Sequence, residues 1–410
     1  MAGITGLSTT FNTPNYVGEL FGLTPAETPL LSSIGGLSGG AQATSTEFEW
    51  QTYDLRDPGN RQRLEGQDAP TSEERVRANA RNVVEIHQEA VSVSYTKASA
   101  IRQRTSPSNA PFYGGVALGS EDPVIDEVSW QINQRVKEVA KDINWGFWNG
   151  EFNLPTDNTT ARKTRGLLQA IVTNKIHVGQ TVTGGGKESA SLSAATDTIT
   201  ETATTLADDD KIVFTSTGTA LTLVAGRKYF VVNKGTNTFK VATTQGGTAI
   251  TIGTATGLKY IKPRTSALSI DEIDAIAQLA YDNGGLSDQF SATIAVNSTQ
   301  RVAVTKAFAG AYGQMNGAVE GNVGGVKVDV VKTNFGSMNI MNDRDIPVDA
   351  LVIVSLDQLA PVFLSHPDKG VFFIEELAKT GAQEKFQLYG EIGLKYGNER
   401  AHAQYRGLAI

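Results

Sequence analysis

Apolar and polar residues alternate with a period of two at two places near the start of the chain. Phe48, Trp50 and Tyr53 sit among Glu47, Glu49, Gln51 and Asp54, and residues 82–97 place Val84, Ile86, Val91, Val93 and Tyr95 between polar neighbours. This pattern predicts two strands, each with one buried face. The segment between them, 57–81, is polar and charged and is marked by Pro58-Gly59 and Pro70. Together they predict a long hairpin with an exposed tip. A hairpin has one partner strand and little core, so it needs another surface to lie on.

The pattern then changes period. Ile125, Val128, Ile132, Val136, Val139, Ile143 and Phe147 recur at three- and four-residue steps, which predicts a long helix with one buried face. Pro123 suits its start and Asn149-Gly150 its end. Trp130, Trp145 and Trp148 lie on or near this stripe and read as packing. A second amphipathic helix is predicted over 269–282 from Ile270, Ile273, Ile276, Leu279 and Ala280, with Ser269 as N-cap and Gly284-Gly285 as its stop. After it, strands (Ser291–Val296, Val326–Val331, Met338–Met341, Ala350–Val354) alternate with helices near 299–308 and 357–363, and a long strand-like run is expected over 391–408. This is the pattern of an α/β or α+β block with a compact sheet.

Residues 1–45 are rich in Gly, Ser and Thr and hold one apolar segment, Tyr16 to Ile34, with a helix start expected at Thr24-Pro25. They read as an arm that packs on something else. Residues 181–264 are rich in threonine, and six short apolar segments there (211–214, 220–224, 227–233, 238–243, 249–252 and 258–261) are punctuated by glycines. This predicts a small β-sandwich or barrel inserted into the main fold, with 183–207 as a flexible lead-in.

With 410 residues, 40% hydrophobic and 19% charged, the chain is globular and long enough for two or three cores. It has no cysteine, which excludes disulfides, thiolate metal sites and cysteine nucleophiles. The formal net charge of −7 argues against tight binding of nucleic acid. No apolar run reaches the ~20 residues that span a bilayer, and Met1 to Gly6 lacks signal-peptide features, so a soluble protein made in a cytoplasm is expected.

Candidate chemistry is sparse. Gly36-Leu37-Ser38-Gly39-Gly40 matches a nucleophile pattern, but it lies between an arm helix and a hairpin rather than between a core strand and a helix. Thr183-Gly184-Gly185-Gly186-Lys187 fails the phosphate-loop spacing, because Glu188 stands where Ser or Thr is needed, and reads as a hinge. Asp208-Asp209-Asp210 lacks calcium-loop spacing and reads as a solvated turn. Asp343, Asp345 and Asp349, interrupted by Arg344 and Pro347, read as a charged loop. The four histidines, His87, His177, His366 and His402, show no ligand spacing. No catalytic, cofactor or metal residue is expected.

The end of the chain reads Glu375-Glu376-Leu377-Ala378-Lys379-Thr380-Gly381, then Glu384-Lys385, Gly390-Glu391 and Asn398-Glu399-Arg400-Ala401-His402. Earlier come Gly18-Glu19-Leu20 with Thr28-Pro29-Leu30, and Asn82-Val83-Val84-Glu85-Ile86 before Val91-Ser92-Val93-Ser94. Gly166-Leu167-Leu168 follows Arg165, and Val328-Asp329-Val330 leads to Gly336. This ordered set resembles the tailed-bacteriophage major capsid family with its α+β, HK-97-like fold, and it covers most of the chain except 181–264. The resemblance implies an N-terminal arm (1–45), an extended β-hairpin loop (46–100) and a peripheral domain (101–180 with 366–410) carrying a spine helix (123–149). An axial domain (265–365) and an inserted all-β domain (181–264) complete it.

The implied function is that of a major capsid protein. Copies assemble into hexamers and pentamers of an icosahedral shell in the host cytoplasm and reside in the virion. Double-stranded DNA is enclosed without specific binding. Portal, scaffold and decoration proteins are further candidate partners, and no membrane is involved. Arg61, Arg63, Glu65, Glu73, Glu74, Arg75, Arg77 and Arg81 mix both signs on the hairpin and are expected to meet neighbouring subunits. Because the sequence starts almost at the arm, the cleaved scaffold-like segment that some relatives carry before it is expected to be absent or already removed. Some relatives cross-link hairpin lysines, but the first lysine here is Lys97, beyond the tip. The alternatives are an encapsulin-like compartment shell, which shares the fold, and, from a different class, a β-rich surface adhesin or glycan-binding protein.

Overall fold

The three- and four-residue stripe folds as a helix over Glu127–Asn149, the spine helix. In this computed structural model the described residues are 23–100, 127–286, 292–312, 319–323, 326–379 and 381–410. Residues 1–22, the expected helix start at Pro123 with Ile125, and Ser291 lie outside them. The described residues fall into two units, one drawn chiefly from 88–139 and 373–389, the other from 28–87, 140–372 and 390–410.

In the first unit, the strand Glu85–Ser94 pairs with Gln383–Lys395, which also pairs with Phe372–Glu376. Val91, Ile132, Ile374, Phe386 and Leu388 face one another, so the alternation of the strands and the helical stripe meet in one apolar layer. The hairpin's first strand falls within the expected 46–56, but its partner precedes most of the expected 82–97. Its strands are Glu47–Tyr53 and Arg77–Val83, in register Glu47 to Val83 through Tyr53 to Arg77. Residues 85–94 leave it for the strand just described.

The second unit contains a seven-stranded sheet. Its order is Val319–Val323, Val326–Thr333, Gly336–Asn342, Ala292–Val296, Leu351–Ser355, Ala403–Arg406 and Lys175–His177. The helix Ile270–Asp282 packs on it. Ser269 and Glu272 form a reciprocal capping box at its start, which satisfies two backbone N–H groups that a helix leaves open. Ile273, Ile276, Ala277 and Ala280 join Ile294, Val304, Ile353 and Tyr405 in one core. The helix expected near 299–308 runs Ser298–Tyr312.

Residues 181–264 contain a closed six-stranded barrel, Thr238–Ala242, Thr198–Thr200, Leu192–Ala195, Ala255–Ile261, Lys211–Thr217 and Lys228–Val232 in order around it. It has its own core, including Ile199, Phe214, Phe239 and Tyr260. The expected flexible lead-in supplies two of these strands instead. The expected strands at 220–224 and 249–252 are loops whose Leu223 and Ile252 plug the core. The glycine stretch after Val182 is a tight turn, closed by a Val182–Gly186 bridge.

Three further expectations change. The arm helix starts at Pro29, with Thr28 as N-cap, four residues after Pro25. The helix expected at 357–363 is one 3-10 turn, Leu356–Gln358, followed by the strand Ala360–Leu364. An apolar run of five fits either element by pattern alone. The long terminal run is broken at Gly397, whose φ of +57° is a left-handed conformation that favours glycine. A 3-10 turn, Glu399–Ala401, follows, with Asn398 Oδ1 accepting from Arg400 N at 3.1 Å.

Candidate assembly surface

The hairpin stem is anchored by its apolar face. Trp50 Nε1 donates to the Gly397 carbonyl at 2.7 Å, and its ring meets Tyr396 edge-on at 4.7 Å. The Phe48 ring lies over Gly393, where any Cβ would collide with it and with the Val83 carbonyl; glycine is the residue that lets the stem approach so closely. Asn82 completes the anchor by donating to the Leu394 carbonyl at 2.7 Å and to the Arg165 carbonyl at 3.1 Å. Beyond this base, every residue from Tyr53 to Asn79 is exposed.

The sequence-predicted charges divide into two groups on this element. Arg81 donates to Glu47 at 3.0 Å and Arg77 to Gln51 at 2.9 Å, both across the stem. Nearer the tip, Arg75 and Arg56 converge on Glu73 at 2.9 and 3.5 Å, and Arg61 donates to the Asp57 carbonyl at 3.2 Å. The side chains of Arg63, Glu65 and Glu74 pair with no other described residue. Exposed pairs of this kind contribute about 0.2–1 kcal/mol each, so charge does not hold the tip in shape within one chain.

Sequence reasoning missed the apolar part of the tip. Tyr53, Leu55, Leu64 and Val76 are 71%, 73%, 80% and 84% exposed. These large apolar side chains lie on an element without a core, which makes the tip a candidate contact surface. The available signal was Leu64 and Val76, isolated apolar residues inside a charged stretch.

Within the expected charged loop, Asp343 and Asp349 are buried while Arg344 is exposed. Asp343 accepts from Trp148 Nε1 at 2.8 Å and from Asn144 Nδ2 at 3.0 Å. Asp349 receives a two-point contact from Arg406, both bonds 3.1 Å. Asp208 and Asp210 cap turns by accepting from Lys234 N and Ala207 N. Ser38 is exposed on a turn after the arm helix. Among the described residues no three His, Asp or Glu side chains are grouped to hold a metal ion, and no helix is long and apolar enough to cross a membrane.

A family model described as SU10 major capsid protein matches residues 3–409. Among solved structures, the chain is similar to the capsid subunit of cyanophage A-1(L), with a TM-score of 0.52 and 12% identity, over 99% of this chain and 100% of that one. It is also similar to the capsid of Myoviridae phage XM1 (TM-score 0.48, 13% identity, 100% of both chains). A third likeness is to the SrpI encapsulin of Synechococcus elongatus (TM-score 0.49, 8% identity, 97% of this chain and 92% of that one). No curated protein sequence matches the chain. The likeness to the cyanophage subunit shows the fold, the HK-97-like fold of capsid subunits.

Proposed function

The chain belongs to the SU10 major capsid protein family, and we propose that it builds its shell by laying the tip of its hairpin on a neighbouring copy. It is a phage major capsid protein, a structural subunit of the virion shell; the compartment-shell alternative has less support, because the matching family model is that of a phage capsid. In this reading the copies close into hexamers and pentamers around double-stranded DNA, which is enclosed and not specifically bound. Assembly takes place in the host cytoplasm, with portal, scaffold or decoration proteins as further partners. The subunit performs no catalysis. Its arm (1–45), extended loop (46–100), peripheral parts (101–180 and 366–410), axial part (265–365) and inserted β domain (181–264) follow the division given above.

The observation that carries this is the tip itself: four exposed large apolar residues and unpaired charges of both signs on an element with no core of its own. Rings of one sequence need a heterologous contact that closes, and a protruding tip meeting a different surface of the next copy is such a contact. Arg77 and Arg81 are engaged across the stem, so the test uses tip residues. Arg61→Glu with Arg63→Glu should leave the melting temperature unchanged while reducing particle yield at least about tenfold, scored by sedimentation and negative-stain imaging; the repeated loss of small pair energies adds up over a shell. Normal particle yield from this variant would contradict the role given to the tip.

A further inference from the structure

The short arm helix Pro29–Ser33 is held by its buried leucines, Leu30 and Leu31, and by one polar tie. Leu31 N donates to Asn144 Oδ1 at 3.1 Å. This N–H belongs to the first turn, where a helix offers no acceptor of its own. Asn144 lies on the spine helix and is fully buried. Its other end faces two carboxylates of the sheet's 343–345 turn: Nδ2 lies 3.0 and 3.2 Å from the oxygens of Asp343 and 2.6 Å from Asp345 Oδ2. Asp343 also accepts from Trp148 Nε1 at 2.8 Å and from Asp345 N at 3.0 Å. No lysine or arginine forms an ion pair with Asp343 among the described residues, and the side-chain donors to it, Asn144 and Trp148, are neutral.

We propose that the Asn144 side-chain amide is a two-position switch that reads the protonation of the Asp343–Asp345 pair and passes it to the arm helix. With both carboxylates ionised, the site contains only acceptors on that side. Nδ2 must face them, and Oδ1 is thereby directed at Leu31 N. A proton on Asp343 turns one acceptor into an O–H donor. A half-turn of the amide presents Asn144 Oδ1 as an acceptor for it. Nδ2 then faces Leu31 N, donor against donor, and the arm loses its polar tie inside a buried site. No covalent bond changes; one proton is taken up.

The electrostatics agree in direction. Burial pushes the carboxyls of both Asp343 and Asp345 above their ordinary range, while donation from Asn144 pulls both down. A flipped amide no longer donates to them, so the flipped form binds the proton more tightly, and linkage sends the protonated pair toward the released arm. The other charges facing the pair are Lys141 and Asp142 on the spine helix and Arg227 on the barrel. The arm helix, Pro-Leu-Leu-Ser-Ser, carries none.

The test is hydrogen exchange of the segment 28–34 at pH 7.5 and pH 5.0, normalised for the intrinsic rate. Both values lie above the range where His402 and His177, each pushed down to about 4, take up protons. In the wild-type chain the segment should exchange up to about tenfold faster at pH 5.0, the scale of one lost hydrogen bond, while the barrel strands stay protected. Asp343→Asn, which supplies a permanent donor, should give the fast rate at both pH values. Asn144→Leu, which removes the acceptor, should do the same, and it decides the matter if the first variant does not fold. Equal wild-type protection at the two pH values, or a pH dependence that survives in either variant, would overturn the proposal.

Discussion

His402 shows how one buried side chain ties stability to pH. It is fully buried. Its Nδ1 accepts from Ser355 N at 3.3 Å, so Nε2 carries the proton and donates to the Tyr396 carbonyl at 3.1 Å. Burial pushes its pKa from 6.5 down to about 4. The folded chain therefore binds fewer protons than the unfolded one between these values. The resulting stability is complete above pH 6.5 and is lost as pH falls toward 4, a loss of about 3 kcal/mol. His177 acts in the same direction, and Asp343 and Asp345 act in the opposite one. Urea unfolding at pH 7.5 and 4.5 should show a smaller acid loss in His402→Gln than in the wild-type chain, and identical losses would contradict this account. Such sites are hard to read from sequence. Asp349 looked like part of a surface loop because Arg344 and Pro347 flank its segment, whereas the Arg406 that neutralises it lies 57 residues away in the chain. No local pattern carries that pairing.

At the level of elements, periodicity was legible where it was long. The spine stripe, the capped helix at 269–282 and the hairpin's first strand declare themselves through repeats of one period, whereas its second strand, Arg77–Val83, does not alternate. Boundaries and short elements did not. The barrel strands Leu192–Ala195 and Thr198–Thr200 offer two buried positions and one, too few to distinguish alternation from a loop. The barrel's independence can be tested directly. Its core forms without residues from the sheet, and Gln180 N meets the Lys262 carbonyl at 2.8 Å, so the two ends of the segment lie side by side. Its ties to the rest include Val348 N to the Gly226 carbonyl at 3.0 Å, Lys211 Nζ to the Ile410 carbonyl at 2.6 Å and Arg264 with Glu272 at its end. Replacing 181–264 with a short Gly/Ser bridge should leave a folded chain with a cooperative melt. An unfolded deletion chain, together with an excised segment lacking β signal by circular dichroism, would mean that the barrel is part of the main core.

For the whole molecule, the order of parts carried more information than any motif. The arm, charged hairpin, spine helix, mixed sheet and returning tail were readable as an ordered set, and they led to the capsid fold without any catalytic constellation. The tip's role was only half visible. Charges stand out in a sequence, but their partners do not, and the exposed Leu64 and Val76 look like core residues until their surroundings are known. A chain that leaves this surface uncovered is expected to bury it against its own copies, since apolar area removed from water contributes about 25 cal/mol per Å². The most direct measurement is a cryo-electron microscopy reconstruction of the purified protein, assembled alone or with a scaffold supplied. Closed particles in which residues 53–79 of each copy lie against a neighbouring copy are the expected result. A monodisperse monomer under all such conditions, or a shell in which the tip touches no other subunit, would contradict the account.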